Sequence, residues 1–316
     1  MATGYDLSNL SAYTDQLSDQ LVTRAVLQPI SVSQLTVRAG LTAATQAINV
    51  LDTTVDMKDY SCYYTDENQA GNQIIYSQIP LVVANKMLKQ SICPNDARAY
   101  WLSSQMNPSA YQESIPFEKQ ITDLTVRKVA AYIENTIWAG DGSTLDGLKY
   151  QLSVDAGAID ASGLDTAWTV NNAYQNFWDM VNGLFAGAEA VAQLNDLVAY
   201  VSYKTYATLV QSLQNKAYSL VGAYKTIDNA TGAPLNSFVF PGTTIQVAAI
   251  PGLRDDSGKS AVIIGSKSYA FFGCGLQDDA EKIRLFYDPS QDVIRELCAV
   301  RFGTAAVSNQ FISTIA

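Results

Sequence analysis

Residues 134–152, ENTIWAGDGSTLDGLKYQL, contain the end of a predicted helix followed by a glycine-rich step. Pro116 and Gly140 mark the two ends of this helix. Proline is tolerated in the first turn of a helix, and glycine commonly follows the last turn. This punctuation predicts one long helix over residues 116–138, which at about 1.5 Å per residue would span about 35 Å.

The apolar residues of this predicted helix fall on two opposite sides, whereas a surface helix normally has one apolar stripe. One side carries Phe117, Ile121 and Leu124, and the opposite side carries Val126, Ala130, Ile133 and Ile137. The pattern therefore predicts a structural spine helix that is packed on two sides.

Charged residues form a narrow stripe between the two apolar sides, and they are Asp123, Arg127 and Glu134. Their spacings of four and seven residues permit ion pairing along a helix. The sequence therefore predicts a charged stripe in which ion pairs can form.

The composition of the 316-residue chain excludes several functional classes. It contains no histidine, so Ser-His-Asp or Cys-His activation and histidine metal ligands are impossible within one chain. Its 20 Lys and Arg against 30 Asp and Glu give a net charge of −10. This acidic balance argues against a protein that reads nucleic-acid sequence, because such proteins neutralise phosphates with clustered Lys and Arg.

Only 16% of the residues are charged, against about 25% in an average soluble domain. The chain has 18 tyrosines, a residue type enriched at protein interfaces, whose cores are depleted of charge. The composition favours a surface that neighbouring subunits cover. An ordinary domain coated with neutral polar residues is the alternative.

The chain shows no pattern of a membrane or secreted protein. Its longest apolar runs, such as residues 247–253, are far shorter than the about 20 residues that cross a bilayer. The first ten residues lack the pattern of a signal peptide. In the cytoplasm-like compartment that we infer, Cys62, Cys93, Cys274 and Cys298 are expected to be free thiols, mostly buried, with disulfides as the minor alternative.

Residues 51–80 predict an extended loop in the form of a β-hairpin, with two β-rich limbs on either side of a polar turn at residues 66–72. A lone two-stranded hairpin is marginally stable in water, so this one needs another surface to lie on. We predict that it contacts a neighbouring subunit through Met57, Lys58, Tyr60, Tyr63, Tyr64, Ile74, Ile75 and Tyr76.

Two loops resemble ligand sites without meeting their requirements. Residues 252–260, GLRDDSGKS, have the wrong glycine spacing for a phosphate loop, and Asp255 and Asp256 would repel a phosphate. The turn that begins at Asp66 has Ser77 where a calcium loop needs its bidentate glutamate. We predict no catalytic, cofactor or metal site, and a hydrolase that uses Asp255 or Asp256 remains the alternative from another class.

The spine end carries Gly140-Asp141-Gly142 and then Asp146-Gly147-Leu148. These two glycine motifs after a long helix resemble the sequence at the same place in the major capsid proteins of tailed bacteriophages, which have the Hong Kong 97 fold. The order of parts resembles that family over nearly the whole chain, including LVAYVSYKTYATLVQSL in mid-chain and RELCAVRFGTAAVSNQFIS near the end.

The resemblance implies an α+β chain with four parts. They are an N-terminal arm (residues 1–50), the extended loop (51–80), a peripheral domain (81–150 and 276–304) that holds the spine helix, and an axial domain (151–275 and 305–316).

The resemblance also implies a function without catalysis. Subunits would form hexamers and pentamers of an icosahedral shell, assembled in the host cytoplasm, that becomes the virion capsid and encloses packaged DNA without reading its sequence. Expected partners are a portal protein, decoration or head-tail connector proteins, and a separate scaffolding protein, since the Gly140 step lies only about 140 residues from Met1. The alternative within this fold is a bacterial nanocompartment of the encapsulin type that encloses a cargo protein.

Overall fold

The computed structural model describes residues 25–26, 29–41, 43–54, 73–93, 117–154, 159–161, 163–164, 166–187, 196–216, 237–256, 258–275, 282–291 and 293–314. Of the predicted hairpin contacts, Met57, Lys58, Tyr60, Tyr63 and Tyr64 lie outside these residues, as does Cys62. The side chains of Ile75 and Phe117 also lie outside the described part.

The described α-helices are α1 (Ile30–Ser33), α2 (Phe117–Ala139), α3 (Leu148–Val154), α4 (Ala173–Gly187) and α5 (Tyr203–Asn215). The described strands are β1 (Thr36–Arg38), β2 (Thr45–Thr54), β3 (Gln73–Val82), β4 (Ala84–Ile92), β5 (Ile159–Asp160), β6 (Leu197–Ser202), β7 (Ser237–Val239), β8 (Gln246–Ile250), β9 (Val262–Ser266), β10 (Ala270–Cys274), β11 (Lys282–Asp288), β12 (Val293–Ala306) and β13 (Phe311–Ser313). The mixture confirms the predicted α+β class. None of the described helices is both long and apolar enough to cross a membrane.

Helix α2 confirms the predicted spine, with an end one residue beyond the predicted one. Val126, Ile133 and Ile137 are fully buried on one side of it. On the other side, Ile121 packs against a small cluster that contains β11 and β12 residues. Leu124 is 59% exposed in the protomer, so the predicted packing on this side of the helix stays a prediction about contact with another subunit for this residue.

The longest strand, β12, is the centre of one sheet, which we call the β12 sheet. Antiparallel β4 lies along one edge of β12, while β11 and β10 pair with successive parts of its other edge, and β1 extends the sheet beyond β10. Residues of β12 alternate between half-buried and buried from Val293 to Phe302, as a strand with one face on the core requires. The buried face packs toward helix α2 in the largest apolar cluster.

The second sheet, which we call the β6 sheet, has the order β5-β13-β9-β6-β8-β7. All six residues of β6 are buried, and alternate residues belong to two different apolar clusters. Val198 and Tyr200 join the cluster that contains the spine, while Ala199 and Val201 join the cluster that contains α4 and α5. Because successive side chains of a strand point to opposite faces, this sheet is the layer that separates the two cores.

The described part of residues 1–50 is not a loose arm. Ala25 and Val26 are fully buried, β1 pairs with β10 in parallel, and the first limb of the hairpin already begins at Thr45. The described part of the predicted N-terminal arm is therefore anchored to the core of the protomer. The partner of β1 lies at residues 271–273, so the local sequence of this region could not reveal the pairing.

A hairpin is present, but its described strands reach beyond the predicted residues 51–80 at both ends, from Thr45 to Val82, and the predicted turn at residues 66–72 lies outside the described residues. Strands β2 and β3 pair in antiparallel register from Thr45 opposite Val82 to Thr54 opposite Gln73. Its base is tied to the core by a small apolar cluster that includes Leu41, Leu81 and Val83. Farther out, the described side chains of β3 are exposed, including Ile74 and Tyr76.

Candidate assembly surface

The turn after the spine helix requires glycine at two positions, Gly140 and Gly147, whose backbones lie in close contact. Gly140 has a positive φ of 75°, the left-handed conformation that commonly ends a helix. A Cβ at Gly140 would lie 2.6 Å from the carbonyl oxygen of Leu145, and one at Gly147 would overlap the carbonyl oxygen of Trp138 and the amide of Gly140. Only glycine at both positions lets the chain return across the helix end.

Asp141 closes this turn with its side chain. Its Oδ1 accepts hydrogen bonds from the backbone amides of Ser143, Thr144 and Leu145, each at 2.9 Å. Its Oδ2 is paired with the Lys86 ammonium group. Partial desolvation would raise the pKa of this carboxyl, but the Lys86 bond and the three amides outweigh it and hold the pKa far below its usual range.

The same turn joins three parts of the protein. Lys86 belongs to β4, so its bond to Asp141 ties the β12 sheet to the spine end. Thr304 of β12 donates to the carbonyl oxygen of Asp146 at 3.3 Å, and Gln151 of α3 donates to the carbonyl oxygens of Asp146 and Thr304. The turn is therefore a structural joint between three parts, the spine helix, the β12 sheet and α3.

The hairpin carries two exposed large apolar side chains, and one of them, Tyr76, is the most exposed large apolar side chain among the described residues. Ile74 is 57% exposed and Tyr76 is 76% exposed. They are two residues apart on one strand, so they share a face of the hairpin. Leu124 on the spine helix is also more than half exposed in the protomer. These three exposed apolar side chains are therefore candidates for contact with another subunit.

Solved structures with the same arrangement of elements are capsid and encapsulin shells. The capsid of Myoviridae phage XM1 is 11% identical, with 90% of each chain covered and a TM-score of 0.55. The capsid of a native GTA particle is 16% identical over 92% of this chain and 89% of that chain, with a TM-score of 0.51. The chain has the Hong Kong 97 capsid fold.

A third structure with this fold is the holo-SrpI encapsulin complex from Synechococcus elongatus PCC 7942. It is 11% identical over 90% of this chain and 86% of that chain, with a TM-score of 0.52. No family model and no curated protein matches the sequence. The Hong Kong 97 fold thus rests on the three-dimensional arrangement and on the motif order rather than on sequence identity.

Within the Hong Kong 97 fold, the predicted site residues fall into separate groups. Gly140, Asp141, Gly142 and Gly147 come together in the spine-end turn, and Ile133 and Ile137 lie in the core. Ile74 and Tyr76 stand apart on the exposed hairpin. The described site residues therefore have three different locations: the spine-end turn, the buried core and the exposed surface of the hairpin.

Glu134 does not belong to the predicted charged stripe. It is buried and accepts hydrogen bonds from the Ser31 amide at 3.0 Å, the Ser31 hydroxyl at 2.6 Å and the Gly252 amide at 3.2 Å. Trp138 donates to the same Ser31 hydroxyl at 2.6 Å. Glu134 therefore fastens the N-terminal region and the turn after β8 to the spine, a role that spacing along the helix could not reveal.

Burial raises the pKa of Glu134 above its ordinary value, against the lowering effect of the hydrogen bonds from Ser31 and Gly252. The carboxyl group receives its described hydrogen bonds from neutral donors. Desolvation therefore opposes its ionisation more than these bonds support it.

The acidic pair of the hydrolase alternative has structural partners. Asp255 Oδ1 accepts from the Ser202 hydroxyl at 2.5 Å, the Thr205 hydroxyl at 3.1 Å and the Ala261 amide at 2.9 Å, which fixes the start of α5. Asp256 is exposed and forms an ion pair with Lys149 at 2.5 Å. Asp255 therefore has a structural role at the start of α5.

The described cysteines are free thiols, as predicted, with Cys274 and Cys298 buried and Cys93 exposed. Burial and the nearby Glu296 carboxyl group raise the pKa of Cys298 to about 12. Because the thiolate is the reactive form, Cys298 is an inert packing residue at neutral pH.

Proposed function

We propose that the chain is a major capsid protein that assembles into the hexamers and pentamers of an icosahedral shell around packaged viral DNA. The observation that carries the proposal is the long, exposed hairpin on a Hong Kong 97 fold. Among the described strands, β2 and β3 pair only with each other, and a lone two-stranded hairpin is marginally stable in water. A neighbouring subunit would supply the surface that they require.

The composition supports the same role. A chain with 16% charged residues and 18 tyrosines suits a surface that is largely interface. The net charge of −10 suits the lining of a container, because like charge weakens non-specific binding to DNA. The shell would hold DNA without reading its sequence, and its task is structural rather than catalytic.

Further partners follow from this role. Closed symmetric assembly needs one chain to repeat a small set of contacts, and a DNA-filled shell needs an entry point. We therefore include a portal, a separate scaffolding protein and decoration or connector proteins as proposed partners, with assembly in the host cytoplasm. The division into peripheral and axial domains is part of the same proposal, although β10, assigned to the axial domain, pairs with strands of the β12 sheet.

Electron microscopy of the purified chain tests the proposal. We expect closed shells or capsomers from the full chain, and loss of both when residues 57–75 are replaced by a short glycine-serine linker. A monodisperse monomer at high concentration would contradict the proposal, and normal shells from the shortened chain would contradict the role of the hairpin.

An encapsulin-type nanocompartment is the second candidate, favoured by the likeness to the SrpI encapsulin complex. The contents of particles isolated from the native source distinguish the two. Nuclease-protected DNA of uniform length supports the capsid, whereas a single co-purified cargo protein supports the nanocompartment.

A further inference from the structure

A buried carboxyl group, that of Glu296, lies between the β12 sheet and the spine helix. Glu296 is 1% exposed, and on β12 it stands opposite Gln90 of β4 and Leu285 of β11. The side-chain amide of Gln90 donates to Glu296 Oε2 and, at 3.4 Å, to Thr125 Oγ1 of the spine. Thr125 is also hydrogen-bonded to the Glu296 carboxyl group. One buried acid thus joins two strands of the sheet to the helix.

The hydrogen bonds of Glu296 leave half of its carboxyl group without a partner. Its Oε1 is buried and has no hydrogen-bond partner among the described residues. Its described partners, Gln90 and Thr125, are neutral. A buried carboxylate without a basic partner costs free energy, whereas the protonated acid avoids the cost of a buried charge. The geometry therefore favours the neutral acid.

No counter-charge to Glu296 comes from the described elements packed around it. The polar or titratable groups on the same side of the sheet or on the facing helix are Cys298 of β12, Lys86 and Gln90 of β4, Tyr287 of β11, and Thr125 and Lys128 of α2. Lys86 is paired with Asp141, Lys128 is exposed, and neither lysine is among the groups that shift the pKa of Glu296. The charged helix residues two positions before and after Thr125 lie about 200° around the helix from it and face away.

We propose that Glu296, Gln90 and Thr125 form a pH-sensitive clasp, which holds the spine helix on the β12 sheet while Glu296 is protonated and loosens when Glu296 ionises. Ionisation releases one proton to water and leaves a buried carboxylate with an unpaired oxygen. Movement of the helix away from the sheet lets water reach that oxygen. The clasp belongs to the protomer and does not depend on the proposed function.

The sign of the effect follows from burial. Burial raises the pKa of Glu296 above its ordinary value, against the lowering effect of the bonds with Thr125 and Gln90. The contribution of the clasp to stability is therefore fully present below the unfolded pKa of about 4.3 and is lost as pH rises through the folded pKa. We expect a tight contact in acid and a looser contact in alkali.

Labelling of the Cys298 thiol tests the proposal in the full chain. Cys298 is 1% exposed, stands two residues from Glu296 on the same face of β12, and shares an apolar cluster with Val129 of the spine. A neutral disulfide reagent therefore reaches it when the helix leaves the sheet. The internal control is Cys274, which is also buried but pairs with Phe302, six residues farther along β12. Mass spectrometry of tryptic peptides measures the two labelling rates separately.

We expect Cys298 to react at least about five-fold faster in the parent chain than in E296Q at about pH 9, the lower end of what an unsatisfied buried polar group costs. At about pH 5 the two rates should be equal, because Glu296 is then as neutral as glutamine. A clasp that stays closed predicts the reverse order in alkali, because the Glu296 carboxylate raises the pKa of Cys298 and the thiolate is the reactive form. Labelling of E296Q as fast as the parent chain, or of Cys274 together with Cys298, would overturn the proposal.

Two further variants distinguish the clasp from a general weakening of the helix. Thr125→Val removes a bond that lowers the pKa of Glu296, so the pH at which Cys298 labelling rises should move upward. Glu134→Gln removes another buried carboxyl group of the spine helix and should leave that pH unchanged. An unmoved profile in Thr125→Val, or a loss of alkaline labelling in Glu134→Gln as large as in E296Q, would overturn the assignment to these three residues.

Discussion

Gly147 lies so close to the end of the spine helix that no side chain fits there. A Cβ at this position would overlap two backbone atoms, the carbonyl oxygen of Trp138 and the amide of Gly140. At Gly142, by contrast, a Cβ would meet open space, and only the positive φ of 73° opposes a side chain. The two glycines of the motif are therefore required for different physical reasons.

We predict that Gly147→Ala destabilises the protein more than Gly142→Ala. The first change forces backbone atoms apart, at a cost of about 1–3 kcal/mol or more, while the second costs about 1–2 kcal/mol for a left-handed alanine. Thermal melting of the two purified variants measures the difference. Equal melting temperatures would show that the turn relaxes freely around residue 147.

Glu134 predicts a dependence of stability on pH. Burial raises its folded-state pKa above the unfolded value, so its contribution is fully present below the unfolded pKa of about 4.3 and is lost as pH rises through the folded pKa. The free energy of unfolding of the parent chain, relative to Glu134→Gln, should therefore rise as pH falls from 7 toward 4.5. Denaturant titrations across this range measure it, and Asp256→Asn, an exposed carboxylate, is the control.

Parallel pH profiles for the parent chain and Glu134→Gln would contradict this prediction. The hydrogen-bond partners of Glu134 could not be predicted from the sequence. Ser31 and Gly252 lie 103 and 118 residues away from it, so a helical wheel records the charge of Glu134 but not its burial.

At the scale of elements, the spine helix was predictable because its signals are local. Pro116, Gly140 and a regular apolar spacing define its ends and its buried face, and the helix begins and ends within one residue of the predicted positions. The hairpin was predictable for the same reason. The N-terminal region was not, because β1 gains its stability from a parallel partner, β10, that comes more than half the chain later.

The two sides of the spine helix differ in a way that mutation can separate. Ile133 is fully buried and Leu124 is 59% exposed. We expect Ile133→Asp to abolish folding, because an unpaired buried charge costs several kcal/mol against a total stability of about 5–15 kcal/mol.

We expect Leu124→Asp, the matched control, to give soluble, folded protein. Circular dichroism and the soluble yield measure both outcomes. If Ile133→Asp folded as well as Leu124→Asp does, the assignment of the buried face would be wrong.

At the scale of the whole molecule, stability and assembly reside in different residues. The two apolar clusters on either side of the β6 sheet stabilise the protomer, whereas the outer hairpin adds no described burial to either. A change on the hairpin should therefore leave folding intact and act only where subunits meet.

We predict that the double variant Ile74→Asp, Tyr76→Asp folds normally and fails to assemble. Both side chains are more than half exposed in the protomer, so two carboxylates there cost little until a neighbour must bury them, when each unpaired charge becomes expensive. Sedimentation and electron microscopy measure assembly, and circular dichroism measures folding. The matched control is Phe286→Asp on β11, which is 42% exposed and is not a predicted contact. Shells formed by the double variant as readily as by the control would place the subunit contacts elsewhere, whereas a misfolded double variant would show that the hairpin stabilises its own protomer.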